Sequence, residues 1–111
     1  MAGIVPLGQT QYVAVTTTPN SVSYGPNVSN TFRFVNTSPT STLFVAVYNN
    51  QTQANAFVKP TTGSSVPGVV SIAPGWYENV AGNFGAQNQN TIYCCVVGSG
   101  SVDCYITPVL D

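Results

Sequence analysis

Residues 91–107 have the sequence TIYCCVVGSGSVDCYIT, in which two apolar-rich runs flank the turn sequence GSG at 98–100. Runs rich in Val, Ile and Tyr favour strands, and glycine supplies the positive φ of a tight turn. We therefore predict a β-hairpin in this stretch. Its register would place Cys95 opposite Cys104.

The same alternation of apolar and polar residues continues towards the N-terminus, with turn residues between the runs. The predicted strands are 11–17, 21–24, 31–36, 42–48, 56–58, 68–72, 77–80, 91–97 and 101–107. Helical spacing is absent from this pattern. The chain is thus predicted to be all-β, with one antiparallel β-sandwich domain at 10–111 that is either immunoglobulin-like or a jelly roll.

Two segments differ from the strands. Residues 1–9 are predicted to form an extended N-terminal arm, and residues 59–67 form the longest loop. Both are either binding segments or simply solvated connections. In the arm, the candidate protein-interaction residues are Ile4, Val5, Pro6 and Leu7, which would lie in a groove of a neighbouring subunit or along the arm's own sandwich.

The charge balance argues against some partners. Charged residues make up 5% of the chain, the net charge is −1, and the two cations are Arg33 and Lys59. This is too little positive charge for phosphate neutralisation, so nucleic acid is not an expected partner. A net charge near zero also favours association with other copies of the chain or with another surface, and we expect a homo-oligomer.

The start of the chain lacks the basic region of a signal peptide, and no apolar run approaches the roughly 20 residues that span a bilayer. We expect synthesis in a cytoplasm and no membrane partner. In that compartment Cys94, Cys95 and Cys104 are more readily free thiols than a Cys95–Cys104 disulfide.

The residues of common catalytic sites are scarce. The sequence contains no histidine, and Glu78, Asp103 and Asp111 have no spacing typical of a carboxylate pair or a calcium loop. Three cysteines are too few for a zinc knuckle. We therefore predict a non-enzyme with no catalytic residues, no metal and no cofactor.

Aromatic residues make up 11% of the chain, and most are expected in the core. Phe32 and Phe34 share one face of their strand, whereas Arg33 lies on the other. Trp76 follows the turn residues Pro74 and Gly75. Core packing is the favoured interpretation for Trp76, and an exposed anchor for a sugar or a protein is the alternative.

From Phe32 onward the order of motifs resembles that of small virion proteins of tailed bacteriophages. The matching residues are Phe32-Arg33-Phe34-Val35-Asn36, Leu43-Phe44-Val45-Ala46, Ile72-Ala73-Pro74-Gly75-Trp76-Tyr77-Glu78, Tyr93-Cys94-Cys95-Val96 and Thr107-Pro108. The resemblance implies a β-sandwich located in the virion, acting as a capsid decoration (cement) protein that binds the major capsid protein, as a trimer. The alternative is a carbohydrate- or host-attachment module of a tail, a fibre or a cell surface.

Overall fold

The computed structural model describes residues 8–26, 28–61, 63, 68–82, 84 and 89–110. Within these residues the chain forms eight strands and one short helix. They are β1 (Gln11–Val15), β2 (Asn20–Tyr24), β3 (Thr31–Asn36), β4 (Leu43–Tyr48), α1 (Gln51–Asn55), β5 (Val70–Ile72), β6 (Tyr77–Ala81), β7 (Ile92–Gly98) and β8 (Val102–Val109).

The strands form two four-stranded antiparallel sheets that pack as a sandwich, as predicted. The first sheet has the order β1-β8-β3-β6 and the second has the order β2-β7-β4-β5. The pairs β1–β8, β2–β7, β3–β6 and β4–β5 are nested like the two arms of one long hairpin. Such a hairpin rolled into two sheets is a jelly roll, which resolves the choice left open by the sequence.

The core lies between the two sheets. Alternate residues of each strand point into it, and the largest are fully buried: Phe32, Phe34, Leu43, Ile72, Ile92 and Ile106. The predicted burial of Phe32 and Phe34 is confirmed. Arg33 lies on the opposite face of β3, as period-two alternation requires.

The predicted hairpin at the end of the chain is wrong, because β7 and β8 belong to different sheets. Backbone groups of the turn bond to other loops, since Gly98 N–H donates to Thr16 O at 2.8 Å and Ser99 N–H donates to Thr42 O at 2.9 Å. Cys104 therefore pairs with Val13 in β1.

The cysteines are consequently arranged differently from the prediction. Cys94 shares the central core with Cys104, whereas Cys95 lies on the outer side of the second sheet. All three thiols are free and buried. Burial raises the pKa of Cys104 and of Cys95, to about 12 and about 11 respectively.

The prediction of a strand at 56–58 is also wrong, as is the expectation that helical structure is absent. Asn50 caps α1, with its side-chain Oδ1 accepting from the N–H of Gln53 at 3.1 Å. The N–H groups of Ala56 and Phe57 bond back to the helix and not to a neighbouring strand. The remaining predicted strands agree with the structure within two residues at each end.

No helix of the described residues is long and apolar enough to cross a membrane.

Candidate interaction surface

The two sheets differ in what covers their outer faces. On the second sheet, outward-facing Ala46, Cys95 and Val97 are buried in a small apolar cluster that includes Phe57 and Ala54. The segment that begins with α1 therefore closes this face with the chain's own side chains. The outer face of the first sheet has no such cover among the described residues, and its large side chains remain exposed.

Four exposed aromatic side chains and the half-buried Val35 form one transverse line, which we call the aromatic row: Tyr12, Tyr105, Val35, Tyr77 and Trp76. The first four are directly opposite one another in register across β1, β8, β3 and β6. Tyr12 is 54% exposed, Tyr105 43%, Tyr77 47% and Trp76 60%. With strands about 4.8 Å apart, the line from β1 to β6 is about 14 Å long.

At the β1 end of the aromatic row, contacts fix the tyrosine rings. The rings of Tyr12 and Tyr105 have centroids 5.5 Å apart and are tilted by 49°. Tyr12 Oη donates to Asp103 Oδ1 at 2.6 Å. This hydrogen bond to a carboxylate favours the protonated phenol, so the pKa of Tyr12 is raised.

At the β6 end, the Tyr77 ring has two neighbouring side chains, Arg33 and Trp76. The Arg33 guanidinium lies over the Tyr77 ring, with Cζ 4.1 Å from the ring centroid. Arg33 Nε donates to Asn79 Oδ1 at 3.0 Å, which holds the cation in place. Trp76 is nearly parallel to Tyr77, at an interplanar angle of 14° and a centroid distance of 6.3 Å. The rings are therefore restrained before any partner binds.

The backbone of Trp76 is also fixed. Its N–H donates to Ala73 O at 3.1 Å, and its carbonyl accepts from the N–H of Asn36 at 2.9 Å. The turn before it requires Gly75 at φ 71°. The expectation that Trp76 packs in the core is wrong, because its side chain is 60% exposed and lies beside Tyr77.

The other predicted interaction residues, Ile4, Val5, Pro6 and Leu7, lie outside the described residues. The described chain begins at Gly8, which packs against Pro108 near the end of β8. A Cβ at Gly8 would lie 2.9 Å from Pro108 Cγ. The predicted arm therefore joins the domain at the end of the first sheet opposite to the Trp76 turn.

Within the described part of the chain, no three His, Cys, Asp or Glu side chains lie close enough together to hold a metal ion. The three thiols are buried and their pKa values are raised by desolvation, which suppresses the reactive thiolate. What the described surface offers is aromatic rings and hydrogen-bonding groups, which suit binding.

Of the aromatic row, the sequence alone indicated only Trp76 as a possible anchor, and Tyr12, Tyr105 and Tyr77 were not among the predicted interaction residues. Alternation with Val13 and Val15 was a signal that Tyr12 faces outward, and alternation with Cys104 and Ile106 was the same signal for Tyr105. The line that joins them depends on the register of four strands.

Comparison with protein-family models, with curated proteins and with solved structures found no match.

Proposed function

We propose that this protein is a non-enzymatic structural protein of a virion, a capsid decoration (cement) protein that binds and stabilises a phage head shell through the aromatic row. The observation that carries the proposal is that one outer sheet face is covered by the chain itself while the other presents restrained, exposed aromatic rings. The order of motifs from Phe32 onward, which resembles that of small phage virion proteins, supports the virion part of the proposal.

The chemistry of the aromatic row suits a protein partner. Trp, Tyr and Arg are the residues most enriched at the energetic centres of protein interfaces. Trp76, Tyr77 and Arg33 form one layered group, and Asp103 adds an acceptor near the other end of the row. Rings held in place lose little conformational freedom on binding, which favours affinity.

Attachment to a shell does not require a tight single contact. A row about 14 Å long and one side chain wide covers a much smaller area than the roughly 800 Å² that each partner buries in a stable complex. In the proposal the protein is a homo-oligomer, a trimer, whose copies bind several major capsid subunits at once. Multivalent engagement raises the effective concentration, so weak contacts sum to stable attachment.

A second candidate function is a carbohydrate- or host-attachment module. It is favoured by a cleft lined with uncharged amide and hydroxyl side chains, which lies at the second sheet, away from the aromatic row.

Sedimentation with head shells tests the proposed function. Purified protein is mixed with undecorated shells of the encoding phage, and the bound fraction is measured after pelleting. Trp76→Ala, and separately the double variant Tyr12→Ser with Tyr105→Ser, should weaken binding at least about tenfold, the effect of about 1.4 kcal/mol at an interface centre. Val58→Ala is the matched control, because Val58 is 52% exposed but lies outside the aromatic row.

The truncated side chains are exposed, so each variant should melt within a few degrees of the parent. Trp76 is also the only tryptophan of the chain, so shells should protect its fluorescence from acrylamide quenching. Docking through this face would be refuted if both row variants bound shells as well as the parent does, and if acrylamide quenched Trp76 of the parent equally with and without shells. A parent protein that does not pellet with shells at all would refute the decoration role.

A further inference from the structure

A second recess lies at the other sheet, where β4 leads into α1 and the chain approaches β7. It has a volume of about 450 Å³ and is lined by residues 49–51 on one side, residues 89–91 on the other, and Tyr93. The two sides are far apart in sequence. Pairing of Tyr48 with Tyr93 brings them together.

Every lining side chain among the described residues is polar and uncharged: five are amides, one is the hydroxyl of Thr91 and one is the phenol of Tyr93. A carboxamide offers a donor and an acceptor in one plane, which matches neighbouring hydroxyl groups of a polyol. Sites for apolar ligands are instead lined mainly by hydrophobic side chains. A charged ligand would find no opposite charge among the lining residues that the structure describes.

Part of the cleft wall is held in place by the fold. Tyr93 Oη donates to Gln51 Oε1 at 2.9 Å, and Gln51 Nε2 donates to Asn55 Oδ1 at 3.1 Å. Asn50 is fixed as the helix cap through Oδ1, and this bond leaves its amide nitrogen as a donor. Polar groups fixed in advance need less reorganisation to meet a ligand.

We propose that this amide-lined cleft binds a neutral saccharide unit. The site is independent of the aromatic row, which lies on the other sheet, so a decoration protein would carry it as a second, outward-facing function. Hydrogen bonds between amides and hydroxyls replace bonds to water and add little net affinity each. The dissociation constant for one unit is therefore expected near about 1 mM, and display in many copies would raise the avidity.

Titration by ¹H–¹⁵N NMR with named monosaccharides tests this inference. The probes are glucose, galactose, mannose, N-acetylglucosamine and N-acetylgalactosamine, with N-acetylneuraminate as the charged comparison. At least one neutral sugar should shift the side-chain amide signals of Gln51 and Gln89 in a saturable manner. Gln89→Ala and Thr91→Val should each weaken this binding about fivefold or more. Gln53→Ala is the matched control, because Gln53 is an exposed glutamine of α1 outside the lining.

The inference is wrong if none of the neutral sugars shifts these signals at concentrations well above about 1 mM. It is also wrong if Gln53→Ala weakens binding as much as Gln89→Ala does. Stronger binding of the acidic sugar would also overturn it. The outcome is separable from the decoration role, since Gln89→Ala should leave pelleting with shells unchanged. If the protein binds sugar but not shells, the saccharide site is supported and the proposed decoration role is refuted.

Discussion

Asn36 supports the turn that carries Trp76, and its replacement is expected to be costly. The side chain is 1% exposed. Its Nδ2 shares its two hydrogens among three backbone carbonyls, at 2.9 Å from Ser41, 3.1 Å from Ile72 and 3.2 Å from Ala73. Its Oδ1 accepts from the N–H of Ser38 at 2.9 Å. One buried amide thus joins the loop after β3 to the segment between β5 and β6.

Asn36→Ala removes all four contacts and leaves their partners without the amide. A buried group left unsatisfied costs about 1–3 kcal/mol. The bonds to the Ile72 carbonyl and from the Ser38 N–H are buried, while those to the Ser41 and Ala73 carbonyls are part-buried. We expect a loss of about 3 kcal/mol, which lowers the melting temperature by about 15 °C in a domain of this size. Asn36→Asp should be worse, because a carboxylate oxygen would face carbonyl oxygens.

Calorimetry and urea unfolding measure both variants, and Asn55→Ala is the control, an exposed asparagine for which a change below about 0.5 kcal/mol is expected. Trp76 fluorescence reports the second consequence, since the turn should loosen and quenching should increase even in the folded variant. A loss below about 1 kcal/mol for Asn36→Ala would refute the reasoning. It would mean that water replaces the amide at little cost.

Three other predictions concern stability and attachment. Thr31 Oγ1 is buried with no hydrogen-bond partner in the described chain, so Thr31→Val should raise the free energy of unfolding by about 1 kcal/mol, measured by urea denaturation; a decrease would reveal an unseen partner. Burial raises the pKa of Tyr24 and of Cys104 to about 12, from 10.0 and 9.0 respectively. Because these groups ionise at lower pH in the unfolded chain than in the folded one, the stability should be level up to about pH 9 and then fall towards pH 12. A melting temperature that rises between about pH 9 and pH 12 would contradict the expected loss of stability. Deletion of residues 1–8 should reduce shell pelleting or the oligomer while the melting temperature stays unchanged, if Ile4, Val5 and Leu7 bind a neighbouring subunit; a destabilised protein that still pellets would assign the arm to its own domain.

Most of the strands were predictable from local sequence, the one at 56–58 excepted. Alternation in β3 places Phe32 and Phe34 on the core face and Arg33 outside, and the structure agrees because one face of that strand is buried. β7 shows where this method fails. Cys94 and Cys95 are both buried, on opposite faces, since the segment beginning with α1 covers the outer side. Alternation cannot reveal that second cover.

Strand partners and the aromatic row were beyond local reasoning. Residues 98–100 have the sequence of a hairpin turn, yet the two flanking strands, β7 and β8, pair with other strands in two different sheets. This pairing depends on the topology of the whole domain. Tyr12 and Tyr105 are far apart in sequence, and their contact exists only because β1 pairs with β8 in one register. A binding surface assembled across a sheet therefore has no contiguous motif.

The edges of the first sheet show why association should use its face. Glu78 lies opposite Phe34 in register and thus on the core-facing side of edge strand β6, yet it is exposed. A charge in this position opposes the addition of another strand, because pairing would bury it. At the other edge, Gln11 Nε2 donates to Ser23 O at 3.3 Å and links β1 to the second sheet. With the outer face of the second sheet covered by Phe57, the aromatic row is a large exposed surface of the described residues that a partner can cover without opening the sandwich.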